Sequence, residues 1–174
     1  FDEYNTGMNI GDGIPSIFLR VDGNGTDISM YVYMAGGGCT LPGAAKVLMP
    51  GEGYEGVVRF VMDRMTSYGI NACPPLLVGV GVATSVETAA LNSKLALMRR
   101  VDSENPNANA AKLEHLLEDG LNHIGLGPQG FGGQKSVMGV NVENTARHPS
   151  TIGVAVSTGC WSHRRGLINF DQDL

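Results

Sequence analysis

The sequence has little of what defines several large classes of protein. Its longest uninterrupted apolar stretches, such as LLVGVGVA at residues 76–83, are far shorter than the roughly 20 residues that a membrane-spanning helix needs. Basic residues are also scarce: there are 12 Lys and Arg against 17 Asp and Glu, which gives a formal net charge of −5. A general polyanion-binding surface is therefore not expected. These absences predict a soluble protein with neither a membrane nor a nucleic acid as its partner.

Motifs for nucleotides and for zinc are missing as well. No GxGxxG lies between a strand and a helix in Rossmann fashion, and no GxxxxGK[ST] occurs, so nucleotide binding has little support. The absence of a CxxC pair and of HExxH argues against zinc. The three cysteines are odd in number and widely separated, unlike the dense, even sets of disulfide scaffolds. A reducing, cytoplasmic location fits this pattern.

The chain begins at Phe1 without an initiator Met and without the basic-then-apolar pattern of a secretory signal. We therefore expect that an upstream segment belongs to the complete protein. The 174 residues, of which 43% are hydrophobic, are sufficient for one substantial core. A single domain over residues 1–174 is the resulting prediction.

Glycine is abundant, with 25 residues in 174, about twice the usual share of roughly 7%. The glycines cluster in NTGMNIGDG at 5–13, AGGGCTLPG at 35–43 and GLGPQGFGG at 125–133. Such clusters mark places where the backbone takes positive φ or approaches a ligand closely. The three clusters are therefore candidate loops of a functional site.

Between the glycine clusters, β-type and helical patterns alternate. Residues 16–21 and 27–34 are β-type runs joined by DGNG, which predicts a hairpin. Apolar spacing predicts a helix over 54–68 with Gly69 as its C-terminal cap. A capping box over Thr84 to Glu87 predicts a second helix that runs to about Arg100.

A third helix is expected over residues 111–123, where leucines form one stripe. Buried or half-buried strands are expected over 76–83, 136–143 and 151–157. A hairpin together with helical crossovers predicts an α+β (mixed α/β) fold, a layered domain with helices packed on a mixed, partly antiparallel sheet.

Two cysteines lie in segments that suit metal ligation. Cys73 follows a helix-ending glycine and precedes two prolines in NACPPL, which restrict the local backbone. Cys160 lies in STGCW, where Gly159 allows the chain to turn and the cations that follow favour a thiolate. A free cysteine is more often a small buried apolar residue, and both interpretations stay open at this point.

Four long segments carry a resemblance that covers nearly the whole chain. They are AGGGCTLPGAAKVLMPGEGYEGVVRFV, NACPPLLVGVGVATSVETAA, GLGPQGFGGQKSVMGV and ARHPSTIGVAVSTGCWSHRRG. Together they resemble the class I iron–sulfur fumarase and tartrate dehydratase family. In that family three cysteines hold a 4Fe-4S cluster, and the iron without a cysteine binds the substrate.

The resemblance implies a role for each cysteine. Cys73 in ACPP and Cys160 in the GC word match two metal ligands, and the third family ligand lies in a CQDTG-type word expected before Phe1. Cys39 would complete a count of three, but it is not expected to be a ligand. Glycines 36–38 (Gly36, Gly37 and Gly38), which precede Cys39, are expected to offer backbone N–H groups to a substrate carboxylate. Their alternative role is a tight turn that closes a hairpin.

His148, in ARHPST, matches the family histidine that contacts a substrate carboxylate, and it is assigned as catalytic and substrate-binding. It precedes Cys160 by 12 residues, so one strand between them is expected to bring both ends towards one pocket. A structural histidine that caps the strand is the alternative.

Other polar residues have two possible roles. His163, Arg164 and Arg165 form either a second anion site or a solvated or interface surface. Gln129 and Lys135 in the third glycine cluster are similarly ambiguous. His115 and His123 are expected on the surface of a helix or at its end.

The family implies a hydro-lyase that reversibly dehydrates a hydroxy dicarboxylic acid, with L(+)-tartrate giving oxaloacetate and water as the favoured reaction. A class I fumarase alpha subunit acting on fumarate and malate is one alternative, and a non-catalytic structural subunit is another. The catalytic base is expected outside this chain, so the resemblance also implies a beta subunit and a hetero-oligomer.

Overall fold

The computed structural model describes residues 13–21, 23 and 25–170. In chain order, the described residues form β1 (Ile28–Met34), α1 (Gly37–Thr40), β2 (Ala44–Leu48), α2 (Gly53–Tyr68), β3 (Leu76–Ala83), α3 (Val86–Ala96), α4 (Ala108–His123), β4 (Val137–Asn144), β5 (Ile152–Gly159) and β6 (Arg164–Phe170). Three short 3-10 segments complete the set, at Pro50–Glu52, Gly69–Ala72 and Pro128–Gly130.

The central sheet has four strands in the order β2-β5-β3-β4. β3 is parallel to β4 and antiparallel to β5, and β5 is antiparallel to β2. Every residue of β3 and of β5 is buried, as expected for interior strands that are covered on both faces. The predicted mixed, partly antiparallel sheet with packed helices is confirmed.

The two faces of β3 are packed differently. Val78, Val80 and Val82 belong to a large apolar core with Val61 of α2 and Leu117 of α4. This face buries valine and leucine side chains, whose removal from water is the main stabilising term of such a core.

On the other face, two glycines of β3 let α3 lie very close to the sheet. A Cβ added at Gly81 would collide with the carbonyl oxygen of Ala89, and one added at Gly79 would collide with the carbonyl oxygen of Ser93. Ala83, Ala89 and Ala155 fill the remaining narrow space. Small residues are therefore required at this helix–sheet contact.

The helices follow the sequence prediction, with shifted boundaries. The helix predicted over 54–68 is α2, and the one predicted over 111–123 is α4, which begins three residues earlier because Asn107 caps it: its side chain accepts from the N–H groups of Asn109 and Ala110. In α3 the cap is Ser85, which accepts from the N–H of Thr88. α3 ends at Ala96 rather than at Arg100.

The predicted hairpin is wrong. Residues 16–21 form no strand, and β1 pairs with β6 instead, although the two strands are far apart in sequence. Two residues of the DGNG turn, Asp22 and Asn24, lie outside the described residues. Strand partners depend on tertiary packing more than on local propensity, and this is why β2, with its half-exposed residues, and β6, with its charged start, were not predicted.

The described chain divides into two compact units, a larger one over Met30–Ile168 and a smaller one that contains the rest of both ends. In the smaller unit, the Ser29 hydroxyl donates to Asn169 at 2.9 Å. The site described below lies wholly in the larger unit, and a single domain over residues 1–174 stays a prediction. Among the described residues, none of the helices has the length and apolarity needed to cross a membrane.

Candidate functional site

Cys73 occupies an unusual backbone position. It follows the 3-10 segment Gly69–Ala72 and has φ 58° and ψ 74°, a left-handed conformation that costs energy for any residue except glycine. Pro74 after it is buried, and its carbonyl oxygen accepts the N–H of Gln129 at 2.8 Å. The Cys73 side chain itself is exposed, so this rigid turn presents a thiol at the surface.

Cys160 follows directly after β5 and is half-buried. The N–H of the next residue, Trp161, donates to the carbonyl oxygen of Cys73 at 3.3 Å. This bond joins two segments that are 87 residues apart in sequence. The two predicted metal ligands are therefore brought to the same end of the sheet.

The second glycine cluster reaches the same place through α1. Cys39 is buried, with 5% of its surface exposed, and its carbonyl oxygen accepts the buried Thr158 hydroxyl at 2.7 Å. A Cβ at Gly38 would lie only 2.6 Å from the carbonyl oxygen of Asn71, so this glycine permits close approach to the segment before Cys73. Gly36 and Gly37 are exposed beside it.

α1 lies between β1 and β2, which belong to different sheets. A tight turn that closes a hairpin is therefore the wrong alternative for Gly36, Gly37 and Gly38. The third glycine cluster also contributes here, because the 3-10 segment that contains Gln129 packs on Pro74.

The thiols of Cys39 and Cys160 are neighbours with different protonation preferences. Cys39 interacts with both the backbone and the side chain of Cys160, and burial raises the pKa of the Cys39 thiol. Burial also raises the pKa of Cys160, but hydrogen bonds from Ser162 and Cys39 and the charge of Arg164 outweigh it, so that the pKa is lowered. Of the two thiols, Cys160 is therefore the more readily deprotonated, and the thiolate is the form that binds metals.

Two further side chains pack around this pair. The Tyr33 hydroxyl donates to the carbonyl oxygen of Thr158 at 2.8 Å, and the Lys94 ammonium lies 5.4 Å from the centre of the Tyr33 ring. Burial raises the pKa of Tyr33. Burial lowers the pKa of Lys94, and the neighbouring Cys39 opposes that shift. A cation and a phenol thus line the inner side of the thiol cluster.

His163 holds the segment that follows Cys160. Its N–H donates to the carbonyl oxygen of Cys160 at 2.9 Å, and its Nε2 lies 2.8 Å from the carbonyl oxygen of Leu97. Because a carbonyl can only accept, Nε2 carries the proton. Burial lowers the pKa of the imidazole, and Nδ1 is buried without a hydrogen-bond partner among the described residues. His163 is therefore a partly buried residue whose surroundings favour the neutral imidazole.

The position of His163 depends on Gly159, since a Cβ on Gly159 would collide with the imidazole. The Tyr33 ring lies 5.5 Å from the His163 ring, centre to centre. The sequence predicted an anion site or a solvated or interface surface at residue 163, so this packing role of His163 was missed. The one signal in the sequence is a glycine just before Cys160, which leaves room for a neighbouring ring.

His148 lies at the other end of β5. Its backbone N–H donates to the Thr84 hydroxyl at 2.8 Å, and its Nδ1 accepts the N–H of Ser150 at 3.1 Å. β5 has 8 residues, and at about 3.3 Å per residue it spans about 26 Å. Within one chain, β5 therefore separates His148 from Cys160 instead of bringing them into one pocket. Its role as a substrate contact stays a prediction.

The remaining basic residues that the sequence singled out lie at different distances from the cysteine segments: two are close to Cys160 and one is elsewhere. Arg164 is exposed and donates to the Ser162 hydroxyl at 3.1 Å, while Arg165 reaches the carbonyl oxygen of Leu97 at 3.5 Å. Lys135 lies 3.9 Å from Glu118 in an exposed ion pair.

Two histidines of α4 have positions that agree with the sequence. His115 is exposed, and His123 Nδ1 lies 2.7 Å from the carbonyl oxygen of Asp119 in the same helix. Both lie on the helix surface, as expected.

Within the described ranges, no group of three or more His, Cys, Asp or Glu side chains is arranged to hold a metal ion. The cysteine-bearing segments at 73 and 160 do converge, and thiolates are the ligands that iron–sulfur clusters use. The two residues therefore fit part of a cluster site that requires at least one more ligand from elsewhere.

Comparisons with known proteins show the family to which the chain belongs. The family model described as Fumarate hydratase (Fumerase) matches residues 1–169. Over 174 residues the chain is 60% identical to the L(+)-tartrate dehydratase subunit alpha of Escherichia coli (strain K12) and of Shigella sonnei, covering 100% of this chain and 57% of each relative. The subunit of the same name from Escherichia coli O157:H7 matches to the same extent. The chain thus spans little more than half the length of these curated relatives.

Proposed function

We propose, because this chain belongs to the fumarate hydratase (Fumerase) family, that it forms the alpha-type part of an iron–sulfur hydro-lyase. The proposed reaction is the reversible dehydration of a hydroxy dicarboxylic acid, with L(+)-tartrate giving oxaloacetate and water. The relatives that are 60% identical over the whole chain carry the name of this dehydratase, which favours tartrate over fumarate and malate.

One contact in the structure supports the proposal independently of sequence similarity. The hydrogen bond from the Trp161 N–H to the Cys73 carbonyl oxygen links the two segments that match the cluster ligands of the family. Cys73 projects from a rigid turn and Cys160 has a lowered pKa, which are properties expected of thiols that bind a metal. The pairing of these segments supports a shared cofactor.

In this proposal Cys73 and Cys160 hold a 4Fe-4S cluster together with a third cysteine from outside the described residues. Such a cluster supplies, when bound, Lewis-acid assistance for the departure of a hydroxyl group at an iron that lacks a cysteine ligand. Arg164 lies beside Cys160 and adds positive charge to the side of the site that a dianionic substrate approaches.

The substrate carboxylates require donors as well. The N–H groups of Gly36, Gly37 and Gly38 lie at the start of a helical turn, where they have no intrahelical acceptor, and Gly36 and Gly37 are exposed. We assign them to one carboxylate. We assign His148 to a substrate carboxylate too. Since β5 separates His148 from Cys160 within one chain, we propose that the His148 that contacts the substrate belongs to a second copy of the chain.

The proposal also includes a partner. The relatives are named as alpha subunits, so a beta subunit that supplies the catalytic base and completes a hetero-oligomer is expected. A cytoplasmic location, where thiols stay reduced, suits three free cysteines.

Anaerobic reconstitution with iron and sulfide tests the cluster assignment. The full chain in its assembled protein is compared with Cys73→Ala and Cys160→Ala, and Cys39→Ala is the matched control. We expect both ligand variants to lose the visible absorbance of the cluster and its iron, while the control keeps them. Unchanged iron and sulfide content in both ligand variants would disprove the assignment of these two cysteines, whereas a wild type that binds neither iron nor sulfide would favour a non-catalytic structural subunit.

Substrate identity is tested on the reconstituted complex. Dehydration of L(+)-tartrate and hydration of fumarate are measured side by side, because a single contact to one hydroxyl can decide between such substrates. We expect the larger kcat/KM for tartrate. A larger value for fumarate or malate would assign the chain to the class I fumarases instead, on the evidence of the family match.

A further inference from the structure

We propose that Cys39 and Cys160 form a modification site at which hydrogen peroxide converts the two thiols into an intramolecular disulfide. The family resemblance assigns no role to Cys39, and of these two cysteines the proposed function uses only Cys160. The consequence for activity rests on the proposed function, because a sulfur bonded to Cys39 is no longer a ligand for iron.

The two cysteines are held together by several contacts. The Cys39 thiol interacts with the backbone and the side chain of Cys160. The Thr158 hydroxyl, two residues before Cys160, donates to the Cys39 carbonyl oxygen at 2.7 Å. A disulfide requires Cα atoms within about 7 Å and side chains that point towards each other, and these two contacts bring the two cysteines together.

The surroundings of this pair are rigid. Gly38 is pressed against Asn71, and the Tyr33 hydroxyl bonds the carbonyl oxygen of Thr158. Both backbones are therefore held by neighbours other than each other. Bond formation between the sulfurs then requires side-chain rotation rather than movement of a loop.

Cys160 and Cys39 differ in exposure, and this difference gives the two thiols different roles in the oxidation. Cys160 is half-buried and its sulfur lies 3.3 Å from the part-buried Ser162 hydroxyl, so a small oxidant reaches it. Cys39 is only 5% exposed and is reached mainly from Cys160. The first sulfur to be oxidised is thus that of Cys160, and Cys39 is the resolving thiol.

The reaction is balanced with one peroxide for each pair of thiols. The Cys160 sulfur attacks one peroxide oxygen: an S–O bond forms, the O–O bond breaks, and the departing hydroxide takes the thiol proton to give water and a sulfenic acid. The Cys39 sulfur then attacks the Cys160 sulfur, so that the S–S bond forms and the S–O bond breaks. The departing hydroxide leaves as a second water with the Cys39 proton. Sulfur loses two electrons and peroxide gains them.

Cys73 provides the matched control, because it lies next to the same segment but is held differently. Its carbonyl oxygen is bonded to the Trp161 N–H, while its side chain is exposed on a left-handed turn. If proximity of the backbones alone decided the product, Cys73 would be the partner of Cys160. The proposal requires Cys39 to be the partner.

The test uses the full chain, prepared without iron under anaerobic conditions and treated with a stoichiometric amount of hydrogen peroxide. Peptide mapping without reductant is expected to find peptides joined through Cys39 and Cys160 and lighter by two hydrogen atoms. Cys73→Ser is expected to give the same product. Cys39→Ser is expected to stop at the sulfenic acid of Cys160, which a cyclic diketone traps. A Cys73–Cys160 disulfide, or no intramolecular disulfide in the folded wild type, would overturn the proposal.

A second measurement separates this proposal from the proposed function. Iron uptake is compared before and after peroxide, with reductant added back, in the wild type and in Cys39→Ala, with circular dichroism to verify folding. We expect the wild type to lose uptake after peroxide with a Cys39–Cys160 disulfide and to regain it on reduction. The variant is expected to lose uptake through the sulfenic acid of Cys160, with no such disulfide in its peptide map. If the reduced wild type takes up no iron, the proposed function fails while the disulfide map stands. If it takes up iron but forms no Cys39–Cys160 bond, only the modification site fails.

Discussion

At its carboxyl end, β5 carries Cys160 into a packed group of thiols and rings, whereas at its amino end it begins a few residues after an exposed histidine, His148. The Cys160 end is held by His163, Tyr33 and the Cys73 segment. The His148 end is held mainly by short bonds to the Thr84 hydroxyl and among residues close in sequence. The strand between them is an extended and fully buried spacer.

The two ends of β5 therefore suit two different functions. A packed end fixes the direction of a side chain, which suits a metal ligand that must stay at one position. An exposed end leaves a side chain free to meet another molecule, such as a substrate or a second chain. α3 links the two ends of β5. Thr84, just before α3, forms hydrogen bonds with His148 and Thr151, and the carbonyl oxygen of Leu97, just after α3, accepts a hydrogen bond from His163.

Replacing Gly81 with alanine is expected to have the largest effect, since it disturbs both ends together. The new Cβ would collide with the carbonyl oxygen of Ala89 and push α3 away from the sheet, at a cost of about 3 kcal/mol or more in the free energy of unfolding. Urea unfolding measures this cost. Gly51→Ala, where a Cβ meets nothing within 4 Å, is the control, and an equal cost in both variants would refute the close packing of α3 on β3.

His163→Phe is expected to weaken the Cys160 end alone. It removes the donor to the Leu97 carbonyl oxygen and leaves that acceptor only the longer bond from Arg165 at 3.5 Å, which costs about 1 kcal/mol. His163→Gln keeps an N–H donor at a similar reach and is expected to restore part of the loss. The alkylation rate of Cys160, with that of Cys73 in the same sample as reference, shows which end has loosened. Identical rates in the wild type and both variants would contradict a positioning role for His163.

Acidification is expected to act on the same end, more weakly. Burial lowers the pKa of His163 in the folded protein. In the unfolded chain a histidine titrates at about pH 6.5, so as the pH falls the unfolded chain binds the proton before the folded protein does. The stability contributed by neutral His163 is present above that pH and is lost as the pH falls from there towards the lower folded pKa. Urea midpoints between about pH 8 and about pH 5.5 are expected to fall more for the wild type than for His163→Gln. An equal fall would argue against a buried neutral imidazole.

His148→Ala is expected to have the smallest effect on stability, below about 0.5 kcal/mol, because the residue is exposed. In the assembled enzyme the same change is expected to raise the KM for the dicarboxylate while cluster content stays constant. Thermal unfolding and steady-state kinetics measure the two effects. A large loss of stability with an unchanged KM would make His148 a structural residue that caps the start of β5, the role weighed against substrate binding.

Much of the larger unit could be predicted because its signals are local. The apolar run at 76–83 is a strand buried on both faces, and the helical spacing of Val57, Val61 and Met65 matches a helix with one buried face. The hairpin failed for the opposite reason: β1 pairs with a strand more than a hundred residues away, and no local pattern of residues encodes such a pairing.

The site divides in the same way. Cys73 and Cys160 could be selected from their flanking residues and from resemblance, and their segments do meet. That His148 lies at the far end of β5 follows from strand geometry, because an extended strand keeps its two ends apart. The placement of Cys39 next to Cys160 depends on α1 packing against the end of β5, and neither flanking sequence signals it.

By itself, the sequence determined which segments become buried strands and helices and which thiols lie on constrained turns, since apolar periodicity, glycine and proline act over a few residues. Only the tertiary structure decided which of these segments meet. The contacts of the Cys160 segment with Cys39 and with Cys73 depend on the order of strands in the sheet and on the close approach of backbones, and these are properties of the packed chain as a whole.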